Sequence, residues 1–252
     1  MLSSNEKMLD VAKMLKETGD VKMFASWQDI WNMQFSNRRQ PWAVDGKLIL
    51  DDSMIAFMDM AKIIAENGYD LNTDPWSPSW TAAVESDDTF CYVLPTWGYQ
   101  FVIKPSAVNT KGLWGLTEGP VPYVKGGTWL GIYKDSPNKD LAWAFLEYVT
   151  LDSEAQQKYA AEYGEYVSLK SADEALAQNE GEEVLAGQNL FQFFNEQVAK
   201  IPSDLMTAYD GQINTAFLSA TKAYAGGAIT KEEAIQQFKE DVVTAYPELT
   251  IE

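Results

Sequence analysis

The stretch 111–129, KGLWGLTEGPVPYVKGGTW, carries five glycines and two prolines in nineteen residues. These are the strongest chain breakers: glycine loses the most backbone freedom on ordering, and proline removes an amide donor. No long helix can cross such a segment, so regular structure has to form on either side of it. The segment also carries Trp114, Tyr123 and Trp129, and Trp97 precedes it in LPTWGYQ. Aromatics on regular elements usually mean core. On Gly/Pro loops they more often have a second task, because loops carry function.

Helix signals dominate the rest. Ser3-x-x-Glu6 reads as a capping box followed by Met8, Val11, Ala12 and Leu15 on one face, with Gly19 as the stop. VKMFAS (21–26) reads as a strand and WQDIWNMQF as a helix, with Trp27 at its entrance and Trp31 one turn on. Residues 51–67 place Met54, Phe57, Met58, Ala61 and Ala65 on one stripe before Gly68, and Ser77-Pro78 opens a further helix. TFCYVL (89–94), GLWGL (112–116) and TWLGIY (128–133) have strand character. From Asn138 a helix puts Leu141, Phe145, Tyr148 and Val149 on one face, and Ser153-x-x-Gln156 caps the next. Further helices are expected over 182–199, 203–225 and 230–246, the last with the box Thr230-x-x-Glu233 and with Ile235, Phe238, Val242 and Tyr246 inward. Strands among helices, with a helix-rich last third, predict an α/β chain.

Composition narrows the function. There is no histidine, which removes Ser-His-Asp and Cys-His catalysis and His-ligated metals. The single cysteine, Cys91, allows no intrachain disulfide and no cysteine-based zinc site. A net charge of −18 argues against nucleic acid, which needs clustered Lys and Arg. The glycines lack phosphate-cradling spacing and no calcium loop occurs, so no cofactor or metal is expected. No apolar run reaches the length of a membrane span, and MLSSNEKMLD shows no signal peptide.

Sugars present hydroxyl rims and C–H faces, so a site for them needs flat apolar platforms edged by planar polar groups. The candidates are Trp97, Trp129, Tyr123, Trp27 and Trp31, with Gln28, Asp29, Gln188, Asn189 and Asp210 as polar neighbours. The competing reading for any one tryptophan is burial beneath its loop. Nine tryptophans, several beside Gly or Pro, weigh against that reading for the whole set. Paired acids for glycoside hydrolysis would be a second function, but Asp51-Asp52 and Asp87-Asp88 sit where Asp serves caps and turns.

Several segments then resemble a known family: TFCYVLPTWGYQFVI, GLWGLTEGPVPYVKGGTWLGIYKDSPNKDLAWAFLEYVTLDSEAQQKYAAEYGEYVS and EEVLAGQNLFQFF. They are similar to the carbohydrate-binding branch of the extracellular solute-binding proteins (family 1) of ABC importers, which includes maltose-binding protein. The resemblance implies a helix-rich, type II periplasmic-binding-protein-like α/β fold with a ligand cleft between two lobes. It implies that 1–125 and 171–252 form the second, C-terminal lobe and 126–170 the return segment of an incomplete first lobe, as in an N-terminally truncated member. It implies a carbohydrate ligand delivered to membrane permease subunits without chemistry, by a monomer; several aromatics in a row suit several sugar rings, an oligosaccharide. The location implied is extracytoplasmic, in the periplasm or at the cell surface on a lipid anchor. By matching positions Trp97 is the first stacking platform and Trp129, Trp27 and Trp31 follow. Tyr209 and Asp210 fall near the cleft mouth, and Gln188 belongs to the GQN segment. A glycan hydrolase and a non-binding fragment are the alternatives.

Overall fold

A computed structural model describes residues 2–86, 88–202 and 204–251. Helix α1 (Asn5–Thr18) has Ser4 as its N-cap, with the Lys7 amide donating to Ser4 Oγ, so the cap lies one residue after the expected Ser3. Strand β1 (Lys22–Phe24) follows, and a 3-10 turn (Trp27–Ile30) leads into α2 (Trp31–Ser36). An antiparallel pair, β2 (Ala43–Val44) and β3 (Lys47–Leu48), precedes α3 (Asp52–Asn67). Asp51 caps α3, and Gly68 ends it at φ 61°, a left-handed value that favours glycine.

Helix α4 (Pro78–Ala82) leads to β4 (Thr89–Cys91), which is parallel to β1 with Lys22 opposite Thr89 and Phe24 opposite Cys91. On the other side of β1 the chain near Asp70 also runs parallel: the Met23 amide donates to the Tyr69 carbonyl at 2.8 Å and the Leu71 amide to the Phe24 carbonyl at 3.1 Å. A parallel strand flanked on both sides is buried on both faces. Met23, Phe24 and Ala25 are accordingly all fully buried.

Residues 96–106 form one helical stretch of three parts: α5 (Thr96–Gly98), a π-helical turn (Tyr99–Ile103) and α6 (Lys104–Ser106). GLWGL and TWLGIY stay irregular rather than becoming strands, and TFCYVL shortens to Thr89–Cys91. Among the described residues no strand pairs with either irregular segment.

Helices α7 (Lys139–Leu151), α8 (Ser153–Tyr163), α9 (Lys170–Leu176), α10 (Leu190–Val198), α11 (Asp210–Ala225) and α12 (Lys231–Ala245) complete the chain. Asp152, not Ser153, caps α8 by accepting from the Ala155 amide at 2.8 Å. The helix expected over 182–199 breaks where Ala186 and Gly187 take φ of 53° and 85°. Helix α11 starts at Asp210 rather than near 203; Ser203, like Asp87 of the Asp87-Asp88 pair, lies outside the described residues. The capping box of α12 forms as expected.

Two buried clusters hold this together. In the larger, α1, α3, α11 and α12 pack around Phe217, whose ring lies 5.4 Å from Trp31, 5.3 Å from Trp42 and 5.4 Å from Phe238. The buried Trp42 N–H donates to Asn214 Oδ1 at 2.7 Å, so no donor is stranded there. The smaller joins Trp80, Val84, Tyr99 and Val102 to Val184, Leu185 and Leu190. Residues 126–170 contribute to neither cluster. The shared face expected on α7 does form, yet Leu141 and Phe145 stand 74% and 62% exposed.

Candidate functional site

The parallel strands decide where side chains gather. β1, the stretch at Tyr69–Leu71 and β4 run the same way, so their C-terminal ends open on one edge of the sheet, where open α/β sheets bind ligands. Ser26, Gln28 and Asp29 follow β1, Asp74 and Trp76 follow Leu71, and Tyr92 and Trp97 follow β4.

Their aromatic rings form a ladder. Trp97 stacks on Trp76 at 5.0 Å with 25° between the planes. Trp76 meets Trp80 at 4.9 Å, and Trp80 meets Tyr92 edge-on at 5.0 Å. Phe101, on the π-helical turn, lies 6.5 Å from Trp97 at the outer end. The ladder runs from solvent to core: Phe101 is 68% exposed, Trp76 40% and Trp80 0%. Trp76 has φ 67°, a left-handed value costing a bulky residue about 1–2 kcal/mol. Such strain, like π-helical turns, collects at functional sites.

Asp29 sits beneath the ladder, both carboxylate oxygens accepting from the Trp80 indole N–H at 2.8 and 3.1 Å. Burial pushes its pKa up to about 7; the Trp80 N–H and the attraction of Lys125 oppose the rise, and Asp70 adds to it. Burial raises Asp70 too, although the Trp27 amide donates to its Oδ2 at 2.8 Å. Lys125 holds its ammonium 5.0 Å over the Trp76 ring, and burial keeps it below the ordinary lysine value against the pull of Asp29. The Trp97 indole donates to the Lys125 carbonyl at 3.3 Å, fixing this backbone to the ladder.

The other expected residues are scattered. Trp27 and Trp31 are 5% and 6% exposed, with the Trp27 ring 5.9 Å from Phe57 and the Trp31 ring stacked on Phe217. Their faces are covered by core, because the 3-10 turn after β1 directs both rings onto α3 and α11. Trp129 is 84% exposed, with its own Gly127 against its ring edge. Tyr123 packs on the larger cluster with its hydroxyl buried and unpartnered among the described residues. Gln28 is half-buried and joins Lys222 in holding Asp74 below the usual carboxylate range.

Gln188 grips the backbone of Leu116: the Leu116 amide donates to Oε1 at 2.5 Å and Nε2 donates to the Leu116 carbonyl at 3.1 Å. Asn189 caps α10. Asp210 accepts from the Thr207 amide and hydroxyl and faces Arg38 at 3.9 Å, while Tyr209 meets Tyr246 edge-on at 4.9 Å. Sequence reasoning missed Trp76 and Lys125. The signal for Trp76 was present: it stands between Pro75 and Pro78 in DPWSP, the same Gly/Pro setting that picked out the other aromatics.

Comparison with known proteins accords with this architecture. The family described as bacterial extracellular solute-binding protein matches residues 3–185. No curated protein matches the chain. A crystal structure of an extracellular solute-binding protein family 1 member is 20% identical with a TM-score of 0.71, over 90% of this chain and 59% of that one. An ABC transporter associated binding protein from B. animalis subsp. lactis, in complex with beta-1,6-galactobiose, is 16% identical with a TM-score of 0.75, over 100% of this chain and 68% of that one. A family 1 protein from Alicyclobacillus acidocaldarius is 18% identical with a TM-score of 0.64, over 96% of this chain and 64% of that one. The chain thus spans about three fifths of the first of these. At such identities the likeness speaks for the fold, a helix-rich α/β arrangement that is part of a periplasmic-binding-protein-like architecture. With the family match covering most of the described chain, the protein belongs to the bacterial extracellular solute-binding proteins.

Proposed function

We propose that this chain is the solute-capturing part of an ABC importer and that it takes a carbohydrate, an oligosaccharide, at the Trp76–Trp97 platform. The observation that carries the reading is the pair of stacked indoles at the C-terminal edge of the parallel strands, one of them 40% exposed in a strained backbone. Indole faces suit the C–H faces of sugar rings, and Lys125 supplies a hydrogen-bond donor beside them. The relative that holds a galactobiose adds support at the level of the family.

In this reading capture involves no chemistry. Asp29 and Asp70 are the buried acids nearest the platform, and their oxygens already accept from Trp80 and from the Trp27 amide, which leaves neither directed at a glycosidic oxygen. The family's extracellular character implies work outside the cytoplasm, with permease subunits as the docking partner. Among the described residues no helix is long and apolar enough to cross a membrane.

We assign 1–125 and 171–252 to one lobe and 126–170 to the return segment of another. The boundary near 126 is supported by Val121 and Tyr123 packing on the larger cluster while 126–170 joins neither. Ligand contacts to both lobes would then favour a closed form.

Calorimetry against a panel of oligosaccharides tests the proposal. Saturable binding without product release is expected, weakened roughly ten- to a hundred-fold in Trp97→Ala and in Trp76→Ala, and unchanged in Tyr246→Phe. Release of shortened products would establish the hydrolase instead. Binding indifferent to both tryptophans would remove the platform from the site.

A further inference from the structure

We infer that the platform prefers an anionic carbohydrate, one bearing a carboxylate such as a uronic acid unit, because the ammonium of Lys125 lies on the Trp76 ring as its resident cation. The inference rests on the carbohydrate reading above and narrows its ligand class.

Three observations combine. First, Lys125 is locked to the platform by its own backbone, since the Trp97 indole donates to its carbonyl at 3.3 Å. With the backbone fixed there, the side chain places its ammonium over the Trp76 ring at 5.0 Å. Second, Lys222 and Lys104 have carboxylate partners and Lys125 does not. Lys222 pairs with Asp74 at 2.8 Å and Lys104 with Glu182 at 3.1 Å, whereas among the described residues Lys125 is in no ion pair. Third, the nearest acid to attract it, Asp29, has both oxygens turned to the Trp80 N–H, and burial favours its neutral form.

A neutral sugar sealed over Trp76 would take water from a half-buried ammonium and return only hydroxyl contacts, which penalises binding. A carboxylate in that position restores the lost interaction as a charge-assisted hydrogen bond, strengthened by the lower local dielectric. On a chain of net charge −18, the cation makes this patch a local exception. Screening confines the distant acids' repulsion to a range of about 8 Å at physiological salt.

The test is calorimetry of the full chain with two trisaccharides of the same linkage, tri-galactose and tri-galacturonate. Tri-galacturonate is expected to bind at least tenfold more tightly, with the advantage shrinking in 0.5 M NaCl and disappearing in Lys125→Met. Lys125→Arg should keep most of it, which separates loss of charge from loss of fold, and unchanged melting of both variants checks the fold directly. Equal or tighter binding of the neutral sugar would overturn the inference and leave the carbohydrate reading standing. A uronate preference that survives in Lys125→Met would also overturn it. If neither sugar binds, the inference is overturned, and the oligosaccharide panel decides the carbohydrate reading separately.

Discussion

At the scale of single residues, Asp29 makes the sharpest statement. Its folded pKa is about 7 against an ordinary value of 3.8, and burial is the main cause. Below pH 3.8 the carboxyl holds its proton whether the chain is folded or not, so burial of a charge is not at issue. As pH rises from there to about 7, the unfolded chain loses the proton first, and stability falls by up to roughly 4 kcal/mol. Asp29→Asn keeps an oxygen acceptor for the Trp80 N–H and cannot ionise. Compared with the parent by urea denaturation, it should be more stable by a few kcal/mol at pH 8 and no more stable at pH 4. An equal difference at the two pH values would show that Asp29 does not titrate in this window. Asp29 was legible in the sequence only as a polar neighbour of Trp27. Its partner Trp80 lies 51 residues further along, a separation that no local pattern spans.

Among the elements, the segments with a local cause were legible and those with a distant cause were not. The stripe on α3 could be read because Met54, Phe57, Met58 and Ala61 recur at helical spacing, and all four are buried. Phe238 and Val242 of α12 follow the same logic. GLWGL looked like a strand, yet a strand requires a partner, and what it meets is the carboxamide of Gln188. This two-bond grip, with the Gly112 amide donating to the Val184 carbonyl at 3.2 Å, replaces a sheet ladder for the Gly/Pro segment.

Gln188→Ala should therefore loosen residues 112–118 locally. Each bond contributes about 0.5–1.5 kcal/mol net, so hydrogen exchange at the Leu116 amide should quicken roughly tenfold while α3 and α12 keep their protection. Unchanged exchange at Leu116 would mean that other contacts hold the loop. Phe217→Ala, by contrast, removes a fully buried ring from the centre of the larger cluster. It should lower stability by about 3–5 kcal/mol in denaturant melts, and a loss under 1 kcal/mol would mean that the cluster closes over the gap.

For the molecule as a whole, the tension is between a strongly charged surface and the exposed apolar side chains of 126–170. Trp129, Tyr133, Leu141 and Phe145 are 84%, 70%, 74% and 62% exposed, all within 126–170, which contributes to neither buried cluster. Exposed apolar side chains of this size favour burial against another surface. The net charge of −18 keeps copies apart at low salt. Screening shortens the range of that repulsion, to about 3 Å at 1 M salt, while apolar attraction persists. Self-association of the chain should therefore grow with added NaCl, the reverse of what ion-pairing between copies would give.

Leu141→Glu combined with Phe145→Lys tests this cleanly. Both positions are exposed on α7, so little buried area is lost. The new pair has the favourable order for residues four apart on a helix, adding about 0.2–0.5 kcal/mol. Light scattering across a salt series should show the parent growing in mass and the double variant holding constant, with both melting within a degree or two of each other. A variant that melts many degrees lower would mean that this side of α7 is packed rather than bare. A variant that still associates with salt would move the sticky surface to Trp129 and Tyr133.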